Sequence, residues 1–189
     1  MTVRISILIC LLVITNNCIN EKAEQEPKPN VVIILADDLG TGDISLYDGW
    51  VNTPAIDQMA GEGVKFTDFH SNSSVCSPSR TALLTGCYQQ RFGIVDVIVG
   101  YKDERGLAPS ATTIAEIMKE AGYKTAIFGK WHCGTDTIFN PLNQGFDEFT
   151  GFLTGGCDYH NHQDWWDGGL HLFRFAQQRD ADISGPRDD

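Results

Sequence analysis

Cysteine, proline and arginine stand at alternate positions, Cys76, Pro78 and Arg80, in the stretch CSPSRTALLTG of residues 76–86. Pro78 suits the first turn of a helix, where its missing N–H would go unpaired anyway, and Ala82, Leu83 and Leu84 are good helix formers. Cys76 is therefore expected just before a helix N-terminus. Backbone N–H groups and the helix dipole favour negative charge at such a place, and Arg80 lies one turn further on. The chemistry indicated is that of an anion held beside a thiol.

Two further stretches carry chemistry-bearing side chains. Asp37 and Asp38 follow the apolar run VVIILA of residues 31–36. Two carboxylates at a semi-buried point are costly unless neutralised, and a hard divalent cation with oxygen ligands would do so. A solvated Asp-rich turn, with Gly40 and Gly42, is the other reading of the same residues. Lys130 and His132 alternate in GKWH, so an extended backbone would point both to one side, where a cation and a titratable imidazole suit an anionic substrate that needs proton transfer. Surface charge and a core histidine are the plain alternative. His160, His162 and His171 lie in an aromatic, glycine-rich segment without partners at zinc spacing, which favours structural or supporting roles. His70 reads as a scaffold residue near the loop that carries Cys76. Trp165 and Trp166 read as packing residues or as the lining of a substrate pocket.

These groups need elements to position them. The β-branched run at 31–36 has the pattern of a strand buried on both faces of a parallel sheet. In PSATTIAEIMKEAGYKTAIFGKWH, Thr113 and Glu116 have capping-box spacing, Ile114, Ile117, Met118 and Ala121 share one helix face, and Gly122 ends the helix. Residues 124–128 follow as a short strand. Two strands that deliver polar groups at their C-terminal ends, with helices between, indicate an α/β sheet whose site lies at the carboxyl ends of the strands.

The chain's length suggests one domain, and its formal charge of −11 argues against nucleic acid as a partner, since phosphate binding relies on clustered Lys and Arg. The first 20 residues, with Arg4 ahead of an apolar run at 5–14, have the pattern of a signal peptide, and that run is too short to span a bilayer. Export to periplasm, lysosome, cell surface or medium is therefore expected. Residues 21–30, charged and proline-bearing, read as a linker. Cys10 and Cys18 belong to the leader region, leaving Cys76, Cys87, Cys133 and Cys157 in the mature chain, and if Cys76 is reserved for chemistry at least one of the others is unpaired.

Taken together, CSPSRTALLTG, the DDLG that follows an apolar strand, GYKTAIFGKWH and GFDEFTGFLTGGCDYHNH resemble the type I sulfatases, in which the cysteine of a CxPxR core is oxidised to Cα-formylglycine. The resemblance runs from about residue 30 to about residue 162. It implies the alkaline-phosphatase-superfamily sandwich, with a mainly parallel sheet flanked by helices, and makes residues 31–189 the N-terminal part of the catalytic domain. It implies that Asp37, Asp38 and the modified Cys76 bind calcium. Arg80 would fix the formylglycine, Lys130 would hold a sulfate oxygen, and His132 would hydrogen-bond the formylglycine hydroxyls. The implied partners are a sulfate ester substrate, aryl or sugar, and the formylglycine-generating enzyme. Family members are well over twice this length, and their second half supplies another histidine and lysine at the leaving group and further calcium ligands. This sequence reaches RDADISGPRDD before any of these, so a fragment or truncated product with little activity of its own is expected. Two other readings share part of the pattern: a phosphonate or phosphate ester hydrolase of the same superfamily, against which Cys76 speaks, and a non-catalytic protein that binds calcium or a sulfated glycan.

Overall fold

The computed structural model describes residues 27–165 and the backbone of Phe173–Ala176. The leader with Cys10 and Cys18, most of the 21–30 linker, Trp166 and His171 lie outside the described residues. The chain divides into two units, Met1–Gly40 and Thr41–Asp189.

In the first unit the strand expected over residues 31–36 does not form, and the run is exposed, with Val32 at 79% and Ile34 at 82%. A β-branched run becomes a strand only when neighbouring backbone takes its N–H and C=O groups, and the described part of this unit offers none. Asp37 and Asp38 are accordingly exposed rather than semi-buried, with Asp38 in the left-handed region at φ 60°. Aspartate tolerates that conformation better than most residues.

In the second unit, α1 spans Pro54–Glu62 and buries no side chain. It is tied to the turn before it by Ser45 Oγ, which donates to Asp57 at 2.7 Å. The helix expected after the Cys76 stretch is α2, Cys76–Thr85, ended by Gly86 at φ 64°. α3 spans Ile114–Glu120 with the full capping box of Thr113 and Glu116. Its end is a Schellman motif: Gly122 N–H bonds the Lys119 carbonyl and Tyr123 N–H the Met118 carbonyl, with Gly122 at φ 85°. The face that α3 buries differs from the one expected. Ala115 is the buried residue, while Ile117 is 54% exposed and Ala121 is exposed. The helix packs through its small residue, while Ile114 and Met118 are half-buried and Lys119 pairs with Asp147 at 2.8 Å.

The sheet has the order β1 (Ala126–Lys130), β2 (Glu148–Phe152), β3 (Phe173–Ala176), with β1–β2 parallel and β2–β3 antiparallel. The α/β expectation is met. β1 begins two residues later than expected, because Thr125 is drawn into a polar junction: its N–H bonds Asp147 Oδ2 at 3.0 Å and its Oγ1 donates to the Gly145 carbonyl at 2.7 Å. One face of the β1–β2 pair meets the core through Ile127 and Phe149, which join Ile94, Ile98, Leu107, Trp131 and Phe146. The opposite face carries Phe128, 71% exposed, and Lys130. The strands touch closely, since a Cβ on Gly151 would run into the Gly129 carbonyl.

Candidate functional site

Cys76 is the first residue of α2 rather than the one before it; Val75, extended at φ −132°, ψ 159°, is the N-cap. The approach to the helix is held by Ser79 Oγ, which donates to the Ser73 carbonyl at 2.8 Å, and by buried Gln89, whose Nε2 donates to the Asn72 carbonyl at 3.1 Å. Cys76 is partly exposed at a helix start of the kind expected from its sequence.

One turn on, Arg80 Nη1 donates to the Lys130 carbonyl at 2.6 Å. A helix residue thus grips the C-terminal end of β1. Beyond β1 the parallel ladder continues, with Trp131 N–H bonding the Phe152 carbonyl at 2.9 Å and His132 N–H the Leu153 carbonyl at 3.1 Å. The extended alternation expected through Lys130 and His132 breaks there, because His132 is left-handed at φ 56°. Its imidazole is buried at 1% exposure and Nε2 donates to the Ile98 carbonyl at 2.8 Å. A carbonyl only accepts, so Nε2 carries the hydrogen and Nδ1 is the basic nitrogen of the neutral ring. Ile98 in turn donates its N–H to Ser77 Oγ at 3.1 Å. One backbone residue therefore links His132 to the residue after Cys76.

A third link is Cys133, whose thiol accepts from Thr81 Oγ1 at 3.8 Å and whose carbonyl takes the Leu107 N–H. Complete burial pushes this thiol up to about 12, so it stays protonated and inert. The structure thus joins the segments of Cys76, Arg80, Lys130 and His132 within one unit. Asp37 and Asp38 belong to the other unit. Ser77 and Ile98 escaped the sequence reading because neither follows a period or stands in a recognisable pair; the small polar Ser77 inside a helix start was the one available sign.

The other histidines take little part. His70 is exposed and paired with Asp68 at 2.8 Å, and His160 and His162 are exposed on a turn. Trp165 is 71% exposed. Cys76, Cys87, Cys133 and Cys157 are all free thiols. Among the described residues no three His, Cys, Asp or Glu side chains gather as a metal site, and no helix is long and apolar enough to cross a membrane.

The segment that carries Ile98 is pinned by Asp103, which accepts from Val99 N–H at 3.0 Å and from Arg105 Nη2 at 2.6 Å. The Arg105 guanidinium holds the Asp103 carboxyl well below the usual carboxylate range. A depressed folded-state pKa gives stability that is present above the ordinary Asp value near 3.9 and lost as pH falls through the folded value. Arg105 is partly exposed, so Asp103→Asn is expected to cost about 1 kcal/mol at neutral pH. Urea unfolding of both proteins across pH should show that gap narrowing below about pH 4.

Comparison with known proteins places this geometry among sulfatases. The family profile described as Sulfatase matches residues 29–182. Arylsulfatase D of Homo sapiens is 40% identical over 168 residues, covering 80% of this chain and 28% of that protein. Arylsulfatase G of Rattus norvegicus is 44% identical over 128 residues, covering 66% and 24%. The crystal structure of the PsFucS1 sulfatase from Pseudoalteromonas sp. superimposes with a TM-score of 0.68 at 30% identity, over 82% of this chain and 35% of that one. The chain spans about a quarter of the length of the curated relatives it matches.

Proposed function

Because the chain belongs to the sulfatase family, we propose that it supplies the nucleophile and the sulfate-binding side of a sulfuric ester hydrolase, as the N-terminal part of a catalytic domain that begins near residue 31. The observation that carries this reading is the helix start at Cys76 linked to the end of β1 through Arg80 and to His132 through Ile98.

Cys76 is the residue that maturation would convert to Cα-formylglycine, whose hydrated aldehyde supplies a nucleophilic hydroxyl and a second hydroxyl for releasing sulfate. Its place at α2 suits this, because the helix N-terminus favours the negative charge that develops there. Arg80 fixes the Lys130 backbone and adds positive charge one turn from Cys76. The Lys130 ammonium holds a sulfate oxygen and offsets its charge. His132, with Nε2–H fixed on Ile98, keeps Nδ1 as the proton acceptor, the state a general base requires near neutral pH.

Asp37 and Asp38 fit calcium in kind, since both are exposed carboxylates and calcium takes oxygen ligands. When bound, the cation would spread charge from the sulfuryl group. Other oxygen ligands would complete the site, and we propose that they come from outside this chain, which leaves the 189-residue chain with little turnover of aryl sulfates on its own. The first 20 residues would direct export, and the formylglycine-generating enzyme would act on Cys76 during maturation.

A paired assay of the protein from its natural source, with an aryl sulfate and an aryl phosphonate before and after calcium chelation, tests this function. Sulfate hydrolysis that falls at least tenfold on chelation is expected. Hydrolysis of the phosphonate alone, or activity indifferent to chelation, would overturn the assignment.

A further inference from the structure

The face of β1–β2 that carries Lys130 is opposite to the one through which Ile127 and Phe149 join the main core cluster, and it carries a buried residue of its own. Lys130 and Phe152 are register partners in the parallel pair, and register partners share a face. Phe152 is buried at 4% exposure, and the Tyr159 ring meets it edge to face, with centroids 6.4 Å apart and planes at 76°. Tyr159 itself is 76% exposed. Lys130 and Phe152 lie one strand spacing of ~4.8 Å apart, so with the length of the Phe152 side chain and the ring separation the Tyr159 ring lies within about 15 Å of the Lys130 backbone, a span that a lysine side chain, a sulfate group and the ring of its ester can bridge.

Tyr159 does not hang on a loose segment. Thr154, fully buried, donates its Oγ1 hydrogen to the buried Asp164 carboxylate, and Cys157 and Asp164 bridge as antiparallel partners. Asp158 N–H bonds the Gln163 carbonyl at 2.8 Å, and Asp158 Oδ1 takes the N–H groups of His160 and Asn161 at 2.8 and 3.0 Å. The result is a closed hairpin that starts two residues past the end of β2, beside the His132–Leu153 bond, and holds an exposed aromatic ring in a fixed place. An exposed tyrosine backed by a buried phenylalanine gives up little entropy when another ring packs on it.

We propose that Tyr159 is a specificity-determining residue of the sulfate site: with the sulfate on Lys130, it packs against the ring of the ester and so selects aryl or pyranose sulfates over acyclic ones. This inference rests on the sulfate reading of Lys130 given above. The hydroxyl is not needed for the packing, so phenylalanine at this position should serve equally.

The test is equilibrium titration, followed by NMR, of the full natural protein carrying Cys76→Ala, which cannot turn the esters over, with phenyl sulfate, methyl sulfate and inorganic sulfate, this protein being the parent for the variants below. In Tyr159→Ala the affinity for phenyl sulfate should fall about fivefold, with methyl and inorganic sulfate unchanged, and Tyr159→Phe should match the parent. Lys130→Ala should weaken all three ligands. Unchanged phenyl sulfate affinity in Tyr159→Ala overturns the proposal and leaves the sulfate reading standing. Equal weakening of all three by Tyr159→Ala also overturns it, since Tyr159 would then only support the fold. If the parent chain binds none of the three, the sulfate reading fails and this inference fails with it.

Discussion

Replacing Cys76 with alanine should abolish sulfate ester hydrolysis by the natural protein, on the order of ten-thousandfold or more in kcat, with the fold intact. The side chain lost is the one that maturation would turn into the nucleophile, and what remains of the site can only bind. Stability should hardly change, because Cys76 is partly exposed at the first position of α2 and alanine is a strong helix former. Cys76→Ser gives a sharper version of the result. A serine hydroxyl can accept the sulfuryl group but has no second hydroxyl with which to expel sulfate. That variant should therefore take up one sulfuryl group per molecule and then stop, seen as a covalent mass increase without further product. Steady turnover by either variant would show that the nucleophile lies elsewhere.

The second large effect is on stability. Trp131→Ala should cost about 3–5 kcal/mol, a large share of what a single domain possesses. Trp131 is 1% exposed within the core cluster, its ring meets Phe146 edge to face at 6.2 Å, and its Nε1–H donates to the Phe139 carbonyl at 3.0 Å. Alanine removes the volume, the ring pair and the hydrogen bond together, leaving a buried carbonyl unmet. Because Trp131 stands between Lys130 and His132, the same change should loosen both. Trp131→Phe keeps a ring beside Phe146 and loses the donor, so it should cost less, about 1–2 kcal/mol. Urea unfolding of the three proteins measures both values, and a loss under 1 kcal/mol for the alanine variant would mean that this residue does not anchor the end of β1.

The contrast between what was and was not legible follows from the range of the forces involved. The start of α2 and the capping box of Thr113 and Glu116 were readable because a cap is settled by residues within one turn. Gly122 was readable for the same reason, as only glycine adopts φ 85° without cost. The run at 31–36 was misjudged because β-branched residues favour a strand only where another strand accepts it. The start of β1 was misplaced by two residues because Asp147, far along the chain, captures Thr125. At the site, Cys76, Arg80, Lys130 and His132 stand out as candidates through residue type together with the resemblance to the type I sulfatases, and the structure joins their segments within one unit. The left-handed turn at His132 has no local sign, being held by Leu153 and Ile98. The same holds for Ile98, whose contribution comes from its backbone and not its side chain.

The central claim is that Cys76 is a precursor and not a working thiol. Mass mapping of the tryptic peptide of residues 66–80, from protein isolated from its natural source, tests this most directly. Loss of the sulfur and an aldehyde at position 76, trapped by a hydrazine reagent, is the expected result. A peptide that carries only an unmodified thiol at Cys76 would contradict the catalytic reading and leave a protein that binds sulfate esters without turning them over.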